Sequence, residues 1–321
     1  MLLRTELQTK QSIGDRTDSF IGDETGMEVR KAMETDTDIL KVEHLYKSFG
    51  RFQLEDISFS LPKGYILGVI GENGAGKSTL IRCMMNIYRK EKGQVTGAGF
   101  SLDENEAEMK RHIAVVLDQP MYEENMTCIG NAKLLKCIDD RFSMEQFLQE
   151  MQQWDVPVKK RMCELSKGMQ MKFQISMAMA QNPDLLIMDE PAANLDEASR
   201  TKFKERMLEF VNDGTKSILI SSHQTKLLEQ VADYIMYLHR GKVLLYNDKE
   251  RVLEEYMLVS GEKYKIKLIP GKYLIGMEEE NLSTKALIQK SRQYVPDVAL
   301  TTCRPTLADI MYYFNQREIR G

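Results

Sequence analysis

The sequence contains no apolar run of the roughly 18–20 residues needed to cross a bilayer. Its opening residues, Met1-Leu2-Leu3-Arg4, lack the apolar centre of a signal peptide. Cysteine is scarce: there are 5, an odd number, and no two form a C-x-x-C pair. That argues against both a metal–thiolate site and a disulfide framework, and favours reduced thiols. Basic charge is not in excess. The net charge is -4, so composition gives no reason to expect nucleic acid as a partner. No internal repeat is visible. What remains is ordinary for a soluble globular chain, 42% hydrophobic and 29% charged. Its length suits a core domain of roughly 200–250 residues with appendages.

Residues 1–38 are polar and acid-rich, interrupted by Gly14, Gly22 and Gly26. They read as a disordered extension. The alternative is a translation start at Met27 or Met33. From Ile39 the pattern tightens. Ile39–Tyr46 and Phe52–Leu61 alternate apolar and polar residues, as half-buried antiparallel strands do. Short apolar runs follow at Ile66–Ile70, Ile113–Leu117, Leu185–Met188 and Ser217–Ile220, each of a length to form a buried parallel strand. Helical stretches separate them, including Thr79–Arg89, Lys167–Ala180 and Asp196–Val211. Alternating strands and helices imply an α/β domain with a mostly parallel sheet. Tyr234–Leu238 and Lys242–Tyr246, joined through Arg240-Gly241, read as a closing hairpin.

Each apolar run is followed by polar groups: a glycine-rich loop after Ile70, Asp118-Gln119 after Leu117, Asp189-Glu190 after Met188, and Ser221-Ser222-His223 after Ile220. Parallel sheets bind ligands beyond the carboxyl ends of their strands, so these groups are expected to converge on one edge. The glycine-rich loop reads Gly71-Glu72-Asn73-Gly74-Ala75-Gly76-Lys77-Ser78-Thr79 and matches G-x-x-x-x-G-K-[ST] in full. Its glycines let consecutive N–H groups face one anion, and the following helix adds its positive end. In such a loop Lys77 reaches the β- and γ-phosphates and Ser78 ligates Mg²⁺. Asp189 is placed to hold Mg²⁺ through water, and Glu190 to polarise the attacking water. Two adjacent acids at the end of a buried strand would be costly without a cation.

With these motifs in this order, residues 39–246 resemble the nucleotide-binding subunits of ABC transporters. The resemblance implies a P-loop NTPase core, an N-terminal antiparallel β-subdomain, a helical subdomain at about 120–165 and a small C-terminal extension. It implies ATP and Mg²⁺ as ligands. Phe49 sits where the family stacks an aromatic on adenine, with Phe52 a nearby competitor. Gln119 matches the glutamine loop that touches Mg²⁺ or water, and His223 the histidine that contacts the γ-phosphate. Leu165-Ser166-Lys167-Gly168-Met169 looks like the signature usually written L-S-G-G-Q; Lys167 and Met169 depart from it, while Ser166 and Gly168 remain. This L-S-K-G-M form resembles that of a bacterial subgroup whose membrane partners are separate chains. Asn194-Leu195-Asp196 matches the loop that crosses the dimer interface, and Asp196 also suits a helix N-cap.

The implied protein is an ATPase powering transport, export in preference to import. Its partners would be a second ATP-binding subunit, identical or closely related, and a separate transmembrane permease, with no nucleic acid. It would sit in the cytoplasm, on the inner face of the membrane. The expected division is 39–249 for the ATP-binding domain and 250–321 for an accessory extension. In the latter, Lys263–Ile269 alternates like a strand, and Thr306-Leu307-Ala308-Asp309 opens an amphipathic helix with a capping box. Rival readings fare less well. A DNA-maintenance ATPase of the SMC kind needs a long heptad insertion that the stretch from Gln119 to Leu165 is too short to supply. Ribosome-associated relatives usually carry two phosphate loops. A non-hydrolysing ATP-binding regulator is opposed by Glu190 and His223 but left open by Lys167 and Met169.

Overall fold

A computed structural model describes residues 38–119, 121–280 and 283–320, with backbone alone for 317–320. The extension expected over residues 1–38 lies, apart from Asp38, outside the described residues. Alternating burial marks the first hairpin, β1 (Asp38–Phe49) and β2 (Phe52–Pro62). Then β3 (Ile66–Ile70) runs through the phosphate loop into α1 (Lys77–Met84). The chain returns to the hairpin as β4 (Lys92–Gly97) and β5 (Phe100–Ser101), then passes through α2 (Glu106–Arg111) to β6 (Ile113–Val116). A helical stretch follows: α3 (Cys128–Ile138), α4 (Met144–Gln153), a 3-10 turn at Met162–Glu164, and α5 (Lys167–Ala180). The core closes with β7 (Leu185–Asp189), α6 (Glu197–Val211), β8 (Ser217–Ser222), α7 (Thr225–Val231) and the hairpin β9 (Tyr234–His239) and β10 (Lys242–Asp248).

The six-stranded sheet has the order β10-β9-β3-β8-β7-β6, parallel except for β10. Its strands are buried on both faces, and the period of two sorts their side chains between two cores. Ile66, Ile70, Leu186, Met188, Ile218, Ile220, Ile235 and Tyr237 face the helical side. Leu67, Val69, Leu185, Ile187, Leu219, Met236 and Leu238 face the antiparallel sheet β2-β1-β4-β5 and α1. Each such side chain contributes roughly 1.5–3 kcal/mol through burial, so the sheet is a rigid base for the loops at its edge.

Two sequence expectations need correction. The helix expected at Thr79–Arg89 begins at Lys77 and ends at Met84. Asn86 stops it by taking a left-handed conformation, φ 54°. The strand expected at Lys263–Ile269 is instead a short helix. The tail comprises α8 (Lys249–Glu255), β11 (Tyr256–Gly261), α9 (Lys263–Lys267), β12 (Leu274–Glu279), β13 (Thr284–Gln289), β14 (Thr301–Cys303) and α10 (Leu307–Arg320). Across α9 and the two residues after it, Ile266 and Ile269 are buried while Tyr264 and Leu268 are exposed. A spacing of three therefore overrides the apparent alternation. The four tail strands form one antiparallel sheet, β12-β13-β11-β14. The capping box is present: Asp309 N–H donates to Thr306 Oγ1 at 3.1 Å and Thr306 N–H to Asp309 Oδ2 at 2.8 Å. Among the described residues no helix is long and apolar enough to cross a membrane.

Candidate functional site

Strand register assembles the site. In the parallel ladder Ile70 pairs with Ser222, Asp189 with Ser221, and Val116 with Met188. The phosphate loop, Asp189-Glu190, His223 and the segment carrying Gln119 therefore leave the sheet at the same edge, as the sequence pattern requires.

Within the loop, Ala75 N–H donates to Glu72 O at 3.1 Å, and Gly241 N–H of the β9–β10 turn donates to Ala75 O at 2.9 Å. Gly76 has φ 109°, and a Cβ there would lie 2.7 Å from the Phe52 ring and 2.8 Å from Leu54, so both conformation and space demand glycine. No side chain caps α1 and no acid lies in its first turn, which leaves its leading N–H groups available to an anion. Lys77 is buried beneath the loop. Its Nζ donates to Gly71 O at 2.7 Å and Glu72 O at 3.3 Å, and lies 3.2 Å from Glu190 Oε1. Ser78 and Thr79 are half-buried, while Asn73 and Gly74 are exposed.

Glu190 joins the two halves of the site. Its other oxygen lies 2.8 Å from His223 Nδ1, so its carboxylate sits between Lys77 and His223. Its backbone is left-handed, φ 51°, a conformation that needs local support in a residue with a side chain. Ser221 supplies it, accepting the Glu190 N–H on both its carbonyl and its hydroxyl at 3.1 Å. The same hydroxyl donates to Asp189 Oδ1 at 2.6 Å. Asp189 is fully buried and its Oδ2 has no hydrogen-bond partner. A buried carboxylate oxygen left in that state fits water on a divalent cation. The sequence places Ser221 among the polar groups at this edge but assigns it no role; that role comes from its place opposite Asp189 in the ladder.

The remaining candidates are spread more widely. Gln119 is exposed at the end of the segment after β6. Phe49 is exposed at the tip of the β1–β2 hairpin, its ring edge-on to Tyr88 at 5.1 Å and beneath Lys47 Nζ at 4.9 Å. Phe52 is partly buried against the phosphate loop instead, which leaves Phe49 the freer platform. Ser166 caps α5, accepting from Met169 N–H at 3.3 Å. The Met169 side chain packs on the core. A Cβ on Gly168 would lie 2.8 Å from Asn194 O, so that glycine is set by close approach of the Asn194-Leu195-Asp196 loop. Asp196 caps α6, and the Ser199 N–H it accepts at 2.8 Å holds its carboxyl below the ordinary value. Ser166 and Lys167 are exposed, and neither bonds to residues 71–79 of the same chain.

Comparison with known proteins agrees with this geometry. Residues 54–193 match the ABC transporter family. The phosphate import ATP-binding protein PstB 1 of Vibrio vulnificus is 30% identical over 259 residues, 74% of this chain and 92% of that protein. The lantibiotic transport ATP-binding protein SrtF of Streptococcus pyogenes is 28% identical over 222 residues, 67% of this chain and 95% of its own. Among solved structures, an ATP-binding subunit of an ABC transporter superposes with a TM-score of 0.61 at 26% identity, covering 67% of this chain and 92% of that one. The P-loop fold, the polar groups that strand register gathers at one edge, and these matches agree: the chain belongs to the ATP-binding proteins of ABC transporters, ATPases whose hydrolysis of ATP powers transport.

Proposed function

We propose that two copies of this chain, or this chain and a close relative, enclose two ATP molecules and drive export through a separate transmembrane permease. The observation that carries the reading is the Lys77–Glu190–His223 chain at the sheet edge, with Asp189 buried beside it. The phosphate loop of one subunit, Gly71 to Thr79, binds the phosphates through its backbone N–H groups, and Phe49 stacks on adenine. Incoming phosphates draw Lys77 from the Gly71 and Glu72 carbonyls and from Glu190. The freed carboxylate keeps its contact with His223 and accepts a proton from water. That water oxygen attacks the γ-phosphorus as the bond to the ADP oxygen breaks, and His223 orients the γ-phosphate. Ser78, Asp189 and Gln119 would hold Mg²⁺, which when bound neutralises charge on the β- and γ-phosphates.

Ser166, Gly168 and Met169 of the second subunit face the γ-phosphate with the N-terminus of α5, and the exposure of Ser166 and Lys167 supports this. Because the γ-phosphate bridges both subunits, its loss reopens the pair. We assign residues 39–249 to the ATP-binding domain, 250–321 to an accessory one, and place the protein on the inner face of the cell membrane. Export is supported by the L-S-K-G-M signature and the form of the tail. The test is transport in inverted membrane vesicles carrying this chain and its permease. ATP should load cargo into the vesicles. ATP-driven loss of preloaded cargo would reverse the proposed direction.

A further inference from the structure

The C-terminal helix reaches the phosphate loop. Leu307, Ile310, Tyr313 and Phe314 of α10 are buried in the same core as Ile70 and Tyr237. Phe314 meets the rings of Tyr237 and Tyr256 edge-on, with centroids 6.1 and 5.6 Å apart. These anchors leave Asn315 above the start of the loop. Its Nδ2 donates to Glu72 Oε1 at 2.5 Å, and its Oδ1 accepts from the Tyr237 hydroxyl. The amide can point only this way, because a carboxylate accepts and does not donate. Tyr237 lies in β9 opposite Ile70, the last residue before the loop. At the other end of α10, Leu307 N–H donates to Glu229 Oε1 at 2.6 Å, on the helix that follows His223.

We propose that Asn315 is a positioning residue for ATP binding: by holding Glu72 it keeps the phosphate loop in its nucleotide-ready shape. The inference rests on residues 71–79 being the ATP site. Lys77 Nζ donates to the Gly71 and Glu72 carbonyls. When Lys77 turns to the phosphates it abandons both, and the Asn315–Glu72 bond remains as a tie from outside the loop. A loop held in place loses less freedom on binding, so the tie acts on affinity. Asn315 bonds to none of Lys77, Asp189, Glu190 or His223, so the chemical step does not depend on it.

The experiment measures KM for ATP, kcat and nucleotide-free melting for Asn315→Ala, Glu72→Ala and the double variant. Each single change should raise KM roughly two- to tenfold, the effect of one hydrogen bond, with kcat within about twofold. The double variant should be no worse than the worse single one. Asn315→Asp should exceed Asn315→Ala, because it faces one carboxylate with another, and Glu72→Gln should restore it. Additive effects, no rescue by Glu72→Gln, or lower kcat and melting at unchanged KM would overturn the proposal. If Asn315→Ala does not fold, Glu72→Ala leaves α10 packed, and an unchanged KM there overturns it alone. Wild-type protein without ATP turnover would remove the ATP-site reading itself; an active wild type with additive variants removes only the role of Asn315.

Discussion

Replacing Ser221 with alanine deletes one oxygen at the centre of the site. That hydroxyl donates to Asp189 Oδ1 at 2.6 Å and accepts from the Glu190 N–H at 3.1 Å. Asp189 is fully buried and its Oδ2 already has no partner, so in Ser221→Ala the whole carboxylate loses its donors. A hydrogen bond to a charged group contributes about 1.5–3 kcal/mol. The Glu190 N–H keeps the Ser221 carbonyl at 3.1 Å, so its loss is the smaller one. The nucleotide-free protein should therefore lose about 1.5–3 kcal/mol, lowering the melting midpoint by roughly 3–12 °C. Circular dichroism melts without ATP or Mg²⁺ measure this. Ser222→Ala is the control. Its hydroxyl accepts from the Gln224 N–H at 2.9 Å, a neutral bond contributing only about 0.5–1.5 kcal/mol. ATP turnover of Ser221→Ala should fall as well, because Ser221 supports the left-handed backbone of Glu190. A Ser221→Ala protein that melts with the wild type, or no lower than Ser222→Ala, would refute the reasoning.

Three further outcomes follow from the geometry. Gly168→Ala sets a methyl 2.8 Å from Asn194 O, and should lower stability by about 1–3 kcal/mol in chemical denaturation while slowing turnover. Lys77→Ala removes the buried ammonium proposed to meet the phosphates, and should weaken ATP binding by roughly 10–150-fold in titration calorimetry. Burial pushes the Cys83 and Cys128 thiols up to about 11, whereas Cys137, Cys163 and Cys303 are exposed. Native protein at about pH 8 should expose three fast-reacting thiols to a disulfide reagent and two slow ones, since thiolate is the reactive form. Burial disfavours the thiolate in the fold. Stability linked to these two thiols is therefore intact below the ordinary value of 9.0 and is lost as pH rises through about 11, which alkaline melts can follow.

Much of the fold was legible because its rules are local. Five apolar residues from Ile66 to Ile70, bounded by a glycine-rich motif, can form little besides a buried strand entering a phosphate loop. Asp196 could be read as a cap from its place before a helical stretch, and its carboxylate does accept the Ser199 N–H. Convergence of the polar groups followed from the parallel sheet, whose register carries them to one edge. What stayed hidden depends on contacts between distant segments. Ser221 gains its role from Asp189, 32 positions earlier, through strand pairing. Gly168 reads as part of a motif, but the approach of Asn194 O is visible only in three dimensions. The tie from Asn315 to Glu72 spans 243 positions and has no sequence signature. The reading of Lys263–Ile269 as a strand failed for a different reason: five to seven residues are too few for a period of two to be told from one of three or four.

The most direct test compares Mg²⁺-dependent ATP hydrolysis by the wild-type chain and by Glu190→Gln over a range of protein concentrations. Glutamine keeps the shape of Glu190, between Lys77 and His223, but cannot take the proton from water. Wild-type turnover per molecule should rise with concentration, because the proposed sites are each shared by two subunits. Glu190→Gln should bind ATP, lose turnover, and accumulate as an ATP-bound dimer on size-exclusion chromatography. Hydrolysis by Glu190→Gln near the wild-type rate, or wild-type turnover independent of concentration in a chain that stays monomeric with ATP, would contradict the account.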